Sequence, residues 1–341
     1  MRILVLGGTA FLSAEITRQA LAAGHEVTCL ARGTSAAVPD GATWVRADRA
    51  TGVAAFTDLD GHWDEVVEVA RDPVFAKAAL DALAGRAGHW TFVSSCSVYA
   101  DPSVPGAAED AGLLQPLPEG EHGTPETYGE SKSAIEEMTR RAAGEKAHIL
   151  RPGLIGGPGD ASDRYGYWPA RFAAKADPVL VPDIPDSPTQ IVDVRDVAAW
   201  VLYGAVRGLS GTLNVVGEVV PFAGYIAASR SASGATEEVV PVSEDWLVQQ
   251  GIDYWAGPDS LPLWLPPGHE GFQARSNAAA VAAGFALRPW QETLKDTLED
   301  ERSRGLERER RAGLSRLTER RLLSRWKGGR PAGARSGGPP G

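Results

Sequence analysis

Residues 2–13 read RILVLGGTAFLS. Arg2–Leu6 has the length and apolar density of a strand buried on both faces. Gly7 and Gly8 break that run. A helix-length stretch follows over 11–23, with Leu12, Ile16 and Ala20 four apart and Gly24 as its stop. A strand, a glycine turn and a helix N-terminus together make an anion site. Unpaired backbone N–H groups and the helix dipole face it, and a dinucleotide pyrophosphate is the ligand that fits. Gly7, Thr9, Ala10, Phe11 and Leu12 are therefore the candidate cofactor contacts. The usual spacing has three glycines, and here Ala10 and Ser13 hold the second and third positions. Both side chains are small enough for the turn and the helix packing to survive.

The pattern continues outward. Strand-like runs lie at 26–31, 43–47, 65–69, 90–94, 148–151 and 211–216, and helix-like ones at 73–84 and Tyr128–Ala143. Strands separated by helix-length segments predict an α/β fold with a doubly wound parallel sheet and right-handed crossovers. Beyond 156 the pattern loosens. Loops and one helix are expected over 156–188, a short strand and a helix over 190–207, and helices with a Trp/Pro-rich stretch over 220–299. The division that follows is a dinucleotide-binding domain (1–152 with 189–217) and a smaller mixed α/β C-terminal substrate domain (153–188 with 218–300). A basic helix is expected at 301–327 and a disordered tail at 328–341.

Composition excludes several classes. The 341 residues are 43% hydrophobic and 23% charged, enough for a sizeable core. Two cysteines, Cys29 and Cys96, exclude a disulfide scaffold, and Cys96 reads as a buried structural thiol. No run of 18 apolar residues suggests a membrane span. The N-terminus reads as a strand and not a signal peptide, which points to the cytoplasm. The net charge is −10, divided as −17 over 1–299 and +7 over 300–341. So acidic a body argues against a nucleic-acid groove. The basic segment, with Leu322, Leu323 and Trp326 on one face, reads as a helix docked on that body. Six scattered histidines lack ligand spacing, so no metal site is expected.

The chemistry centres on Tyr128-Gly-Glu-Ser-Lys132. Residues i and i+4 share a helix face. An ammonium about 4 Å from a phenol is worth about 4 kcal/mol at an effective dielectric of about 20, or about three pKa units towards neutrality. Chance placement of the tyrosines and lysines yields roughly 0.1 such pairs, so coincidence is a poor explanation. The chain has 28 Arg and only 6 Lys, which suggests that this Lys is needed as a compact charge. Upstream, Ser94–Tyr99 (SSCSVY) ends a strand where such sheets open on the ligand crevice. The end of strand two has no acid for a ribose 2′-OH. Arg32, with Thr34 and Ser35 nearby, suits a 2′-phosphate, so NADP(H) is preferred over NAD(H). Asp48 is a candidate acceptor for the adenine amino group.

These pieces, with Arg151-Pro152-Gly153 and Gln190–Val197 (QIVDVRDV), resemble an extended short-chain dehydrogenase/reductase of the NAD-dependent epimerase/dehydratase group. The resemblance spans 3–200 and weakens towards residue 325. It implies a Rossmann-type domain, a small-molecule substrate and a homodimer. It also implies a catalytic set of Ser95, Tyr128 as acid/base, and Lys132, which would hold the nicotinamide ribose as well. Pro152 and Leu154 would flank the nicotinamide, with Val69 and Ala70 packed on the cofactor and Ser97 beside the substrate. Sugar-nucleotide members usually carry Asn where this chain has Leu154, which favours a smaller, less phosphorylated substrate. The aromatic stretch 164–171, with Tyr167, Trp168 and Arg171, is expected to cover that substrate together with Trp255 and Trp264.

The reading that results is an NADP(H)-dependent oxidoreductase acting on a carbonyl or secondary alcohol. Two alternatives stand beside it. One is a nucleotide-sugar-type epimerase or dehydratase with recycled NAD. The other is a non-catalytic dinucleotide-sensing or RNA-associated protein on the same fold.

Overall fold

The computed structural model describes residues 1–34, 36–175 and 177–329. The first layer is built from β1 (Arg2–Leu6), α1 (Phe11–Ala22), β2 (Glu26–Ala31), β3 (Thr43–Arg46), β4 (Trp63–Glu68), α2 (Pro73–Leu83), β5 (Ala87–Val93), α3 (Tyr128–Ala143) and β6 (Ala147–Pro152). The chain then crosses to a second unit through β7 (Leu154–Gly156), α4 (Tyr167–Ala173), β8 (Val179–Pro182) and β9 (Pro188–Asp193). It returns through α5 (Val194–Arg207) and β10 (Gly211–Val215). Next come β11 (Val219–Pro221), α6 (Phe222–Ser233), β12 (Val239–Val242), α7 (Glu244–Gln249), α8 (Ala278–Ala282), α9 (Trp290–Arg304) and α10 (Arg316–Gly329).

Seven strands form one parallel sheet in the order β3-β2-β1-β4-β5-β6-β10. Alternation along β1 shows why it is buried on both faces. Ile3 and Val5 pack with α1 and α5 residues such as Ile16 and Val201, while Leu4 and Leu6 pack on the other side with Trp90 and Ile135. Strand order reverses between β1 and β4. A crevice opens at such a switch point, beyond the carboxyl ends of the strands.

The second unit has its own core, in which Tyr165, Trp168, Phe172, Leu180 and Phe222 meet Leu314, Leu322 and Leu323 from the C-terminal segment. Its sheets are small: β11-β9-β7, and β12 with β8. Three expectations change here. Residues 189–193 belong to this second unit as β9, because they pair with β7 and β11 and not with the large sheet. The stretch 156–188 holds the strand β8 as well as one helix.

The segment 301–327 is not one helix. Gly305, at φ +97°, ends α9. The chain then runs extended, with Ala312–Gly313 pairing in parallel with Gly257–Pro258, before α10 begins. Of the tail expected at 328–341, Gly328 and Gly329 close α10, and 330–341 lie outside the described residues, as does Ser35. Among the described residues no helix is long and apolar enough to cross a membrane.

Candidate active site

The turn between β1 and α1 fits a pyrophosphate. Gly7 and Gly8 have φ of +139° and +92°, and a Cβ on Gly8 would lie 2.4 Å from the Cys29 sulfur. Only glycine suits such a backbone. Ala10 caps α1 with no side-chain acceptor, so the first N–H groups of the helix are left for a ligand. Ser13 shows how the missing third glycine is tolerated. Its side chain is buried, and its Oγ donates back to the Ala10 carbonyl at 3.1 Å. Val69, just past β4, packs over Gly7: its Cγ2 lies 3.3 Å from where a Gly7 Cβ would be.

Farther out, Arg32 is exposed at the end of β2. The Trp44 indole lies against the neighbouring Gly33, with Nε1 donating to the Ala31 carbonyl at 3.0 Å. Asp48 Oδ1 accepts from the Ala50 N–H at 3.0 Å, so this carboxylate caps its own turn.

Helix α3 carries the polar side of the site. Tyr128, Lys132 and Glu136 recur every four residues and fall on its inward face. Lys132 is 2% exposed, and its Nζ donates to the carbonyls of Ala70 and Val93, each at 2.7 Å. Those carbonyls end β4 and β5, so the lysine ties α3 to the crevice floor. Burial pulls the Lys132 ammonium down to about 7.

Tyr128 is half-buried, with its ring centre 5.8 Å from Lys132 Nζ. Burial raises its phenol above the usual range. Arg71, the Ser95 hydroxyl and Arg164 pull it partly back. The expected depression of Tyr128 by Lys132 is absent: an ammonium that loses its proton near 7 carries no charge by the pH at which a phenol raised above 10 titrates. Ser95 Oγ accepts from the Ser97 N–H at 3.1 Å and donates to Ser97 Oγ at 3.0 Å. Both serines are therefore held at the start of the turn that follows β5.

Behind this face lies a buried ion network. Glu136 takes Arg151 through two bonds of 2.9 and 2.7 Å, Arg140 at 2.6 Å and Ser94 Oγ at 2.6 Å. Burial pushes the Glu136 carboxyl up, but those donors outweigh it and hold it below its usual range. Arg151 also donates to the Tyr99 hydroxyl at 3.0 Å. Cys96 is buried beside it, its Sγ donating to the Arg151 carbonyl, and burial pushes the thiol up to about 12. The sequence reading missed this network. The inward spacing of Glu136 from Lys132 was the available signal.

Most residues expected to cover a substrate are core instead. Tyr167, Trp168 and Arg171 are 2%, 0% and 5% exposed. Trp168 Nε1 bonds the Pro262 carbonyl at 2.8 Å, and Arg171 pairs with Glu319 at 2.5 Å. Helix α4 packs against α6, α9 and the C-terminal segment, and Tyr167 and Arg171 line a cavity of about 360 Å³ between it and residues 306–316. Trp264 is likewise enclosed and bonds Glu244 at 2.7 Å. Leu154 is buried in the same core, so its side chain is spent on packing, and Pro152 is buried at the end of β6. From that aromatic group only Arg164 and Trp255 remain half-exposed, with the guanidinium centre 5.0 Å from the ring centre. Among the described residues no cluster of three or more His, Cys, Asp or Glu is placed to hold a metal ion.

A parallel sheet of this order, with a glycine turn at its switch point and a Ser/Tyr/Lys set beside it, defines a dinucleotide-dependent α/β enzyme class. Residues 3–216 match the model of the NAD dependent epimerase/dehydratase family, and the chain belongs to that family. A search of curated protein sequences finds no match. Three solved structures illustrate the likeness. The UDP-glucose 4-epimerase of Thermus thermophilus, complexed with NAD, is 22% identical with a TM-score of 0.59 over 89% of this chain and 99% of that one. The UDP-Glc/GlcNAc 4-epimerase of Campylobacter jejuni is 16% identical with a TM-score of 0.65 over 89% and 99%. The enzyme WbmF of Bordetella bronchiseptica, in complex with NAD+, is 16% identical with a TM-score of 0.64 over 89% and 92%. At such identities the likeness establishes the fold. The preference for NADP(H) finds no support here: the family is NAD-dependent.

Proposed function

We propose that this protein holds NAD above Gly7–Leu12 and works as an epimerase or dehydratase of the sugar-nucleotide class, oxidising and re-reducing one substrate within a cycle. The observation that supports this best is the set at the end of β5, with Tyr128 beside Ser95 and Lys132 tied to the Ala70 and Val93 carbonyls. Bound NAD supplies the hydride acceptor. Tyr128 takes the proton from the carbinol oxygen and later returns it. Ser95 hydrogen-bonds that oxygen and fixes it at the phenol. Lys132, held on the Ala70 and Val93 carbonyls, adds positive charge beneath the site while it is protonated, below about 7. Leu154 contributes no polar group, so recognition of the substrate falls to other side chains.

The test is to denature the purified protein and identify the released nucleotide by mass spectrometry. Stoichiometric NAD supports recycling. An empty protein that binds NADPH saturably overturns it in favour of the reductase. Arg32, exposed and without an ion pair among the described residues, is the feature that favours that second reading. Tyr128→Phe separates an enzyme from a dinucleotide sensor: turnover should fall about 10²–10⁴-fold with NAD still bound.

A further inference from the structure

We infer that the cavity between α4 and residues 306–316 is a second ligand site, which takes a hydroxylated small molecule carrying one phosphate or carboxylate group. It goes beyond the proposed function, because none of its lining residues belongs to the Ser95, Tyr128 and Lys132 set.

The cavity measures about 360 Å³, within the about 300–1,000 Å³ that small-molecule sites occupy. Four arginines line it. Arg171 comes from α4, Arg308 and Arg310 from the segment between α9 and α10, and Arg316 from the first turn of α10. Among the described residues eight guanidinium nitrogens are buried without a hydrogen-bond partner. Four of the eight are Arg171 Nη1, Arg308 Nε, Arg310 Nη2 and Arg316 Nη1. Half of the orphaned guanidinium donors thus gather around one cavity. Buried donors are seldom left unpaired, because the bonds they lose to water are then not replaced.

Each arginine has an acid at its other edge. Arg171 Nε holds Glu319 at 2.5 Å, and its Nη2 holds the Pro178 carbonyl at 3.0 Å. Arg308 Nη2 reaches Glu301 at 2.9 Å, and Arg310 Nη1 reaches the same carboxylate at 2.7 Å. Arg316 Nη2 is 4.0 Å from Asp177. These contacts orient the guanidiniums before any ligand arrives, which lowers the ordering cost of binding. The same acids offset the charge, so the cavity is not a field of excess positive charge. It offers directed N–H donors, which match the paired oxygens of a phosphate or carboxylate. Helix α10 begins at the cavity with Ser315 and Arg316, and the positive end of its dipole adds to that preference.

The remaining lining limits the ligand to one such group. Asp259, Glu307 and Glu309 also border the cavity, and Glu307 and Glu309 are exposed. Carboxylates accept from hydroxyl groups and repel a polyphosphate. Together with the arginines they select a single oxyanion on a hydroxylated body. Leu306, Leu314 and Tyr167 supply apolar wall for the body itself.

The experiment is isothermal titration calorimetry of the full-length protein at constant ionic strength, with glucose 6-phosphate, D-glucuronate and glucose as probes. At least one of the two anionic probes should bind saturably at one equivalent, and glucose should not. Binding of glucose 6-phosphate alone assigns a phosphate, and binding of glucuronate alone assigns a carboxylate. Arg316→Met should weaken the bound probe about tenfold or more. The Arg316 side chain is 27% exposed with its acid 4.0 Å away, so this variant keeps the fold. Ala174→Phe, at the half-buried end of α4, fills the cavity without changing a charge and should abolish binding. Tyr128→Phe should bind the probe as the wild type does. The site is overturned when neither anionic probe binds or when glucose binds as tightly. It is also overturned when Arg316→Met and Ala174→Phe both bind as the wild type does, or when Tyr128→Phe loses the probe and so places it at the active site.

Discussion

Lys132 and Tyr128 show where a residue pair can be read from sequence and where it cannot. The i, i+4 spacing places both on one face of α3, and that much holds. The direction of an ammonium at the end of four methylenes is decided by its partners, here the Ala70 and Val93 carbonyls. Those carbonyls come from strands 39 and 62 residues away, a distance that spacing within one helix does not reveal. A stability test follows. Burial sets the folded-state value near 7, below the ordinary 10.5. Below pH 7 both folded and unfolded chains carry the proton, and the burial penalty is fully present. Between 7 and 10.5 the unfolded chain binds more protons, so stability rises with pH. Urea unfolding of the NAD-free protein should show this rise, at up to about 1.4 kcal/mol per pH unit, and Lys132→Met should remove that component. An identical slope in the variant would show that Lys132 stays charged.

At the scale of elements, the strands and helices of the first layer were legible because each obeys one period, and α3 begins and ends where its pattern does. The second unit was less so. Its strands run two to six residues and pair across long gaps, as β8 does with β12. The burial of the aromatic stretch 164–171 was not legible for a related reason. Its enclosure depends on Leu314, Leu322 and Leu323, about 150 residues later. The β1–α1 turn is the element whose chemistry was clearest, and it yields a paired expectation. Gly8→Ala places a Cβ 2.4 Å from the Cys29 sulfur at a φ of +92°. It should cost about 1–3 kcal/mol and weaken NAD binding. Ala10→Gly, at an exposed cap with φ −107°, should leave stability unchanged within about 0.5 kcal/mol. Thermal unfolding with and without NAD reads both. Equal losses in the two variants would mean that the turn is not specially constrained at Gly8.

Across the whole molecule, the basic C-terminal segment acts as a strap. Arg308 and Arg310 bond Glu301, Arg308 also bonds Asp163, and Glu319 reaches into the second core to bond Arg171 and the Leu180 N–H. The charge imbalance pointed to such docking, although not to its path: the break at Gly305 lets the strap turn back. Burial lifts the Glu319 carboxyl above its usual range even beside Arg171, so the pair does not repay its own desolvation. Breaking it is a different matter. Glu319→Ala leaves Arg171, 5% exposed, with carbonyls of Asp177 and Pro178 but no carboxylate. That should cost about 3–5 kcal/mol. Replacing both ends, Arg171→Met with Glu319→Leu, removes the stranded charge and should recover most of the loss, to within about 1 kcal/mol of the wild type. Denaturant unfolding of the two single variants and the double closes the cycle. Additive losses in the double variant would show that the two residues contribute separately, and that the strap is held by its leucines and not by this pair.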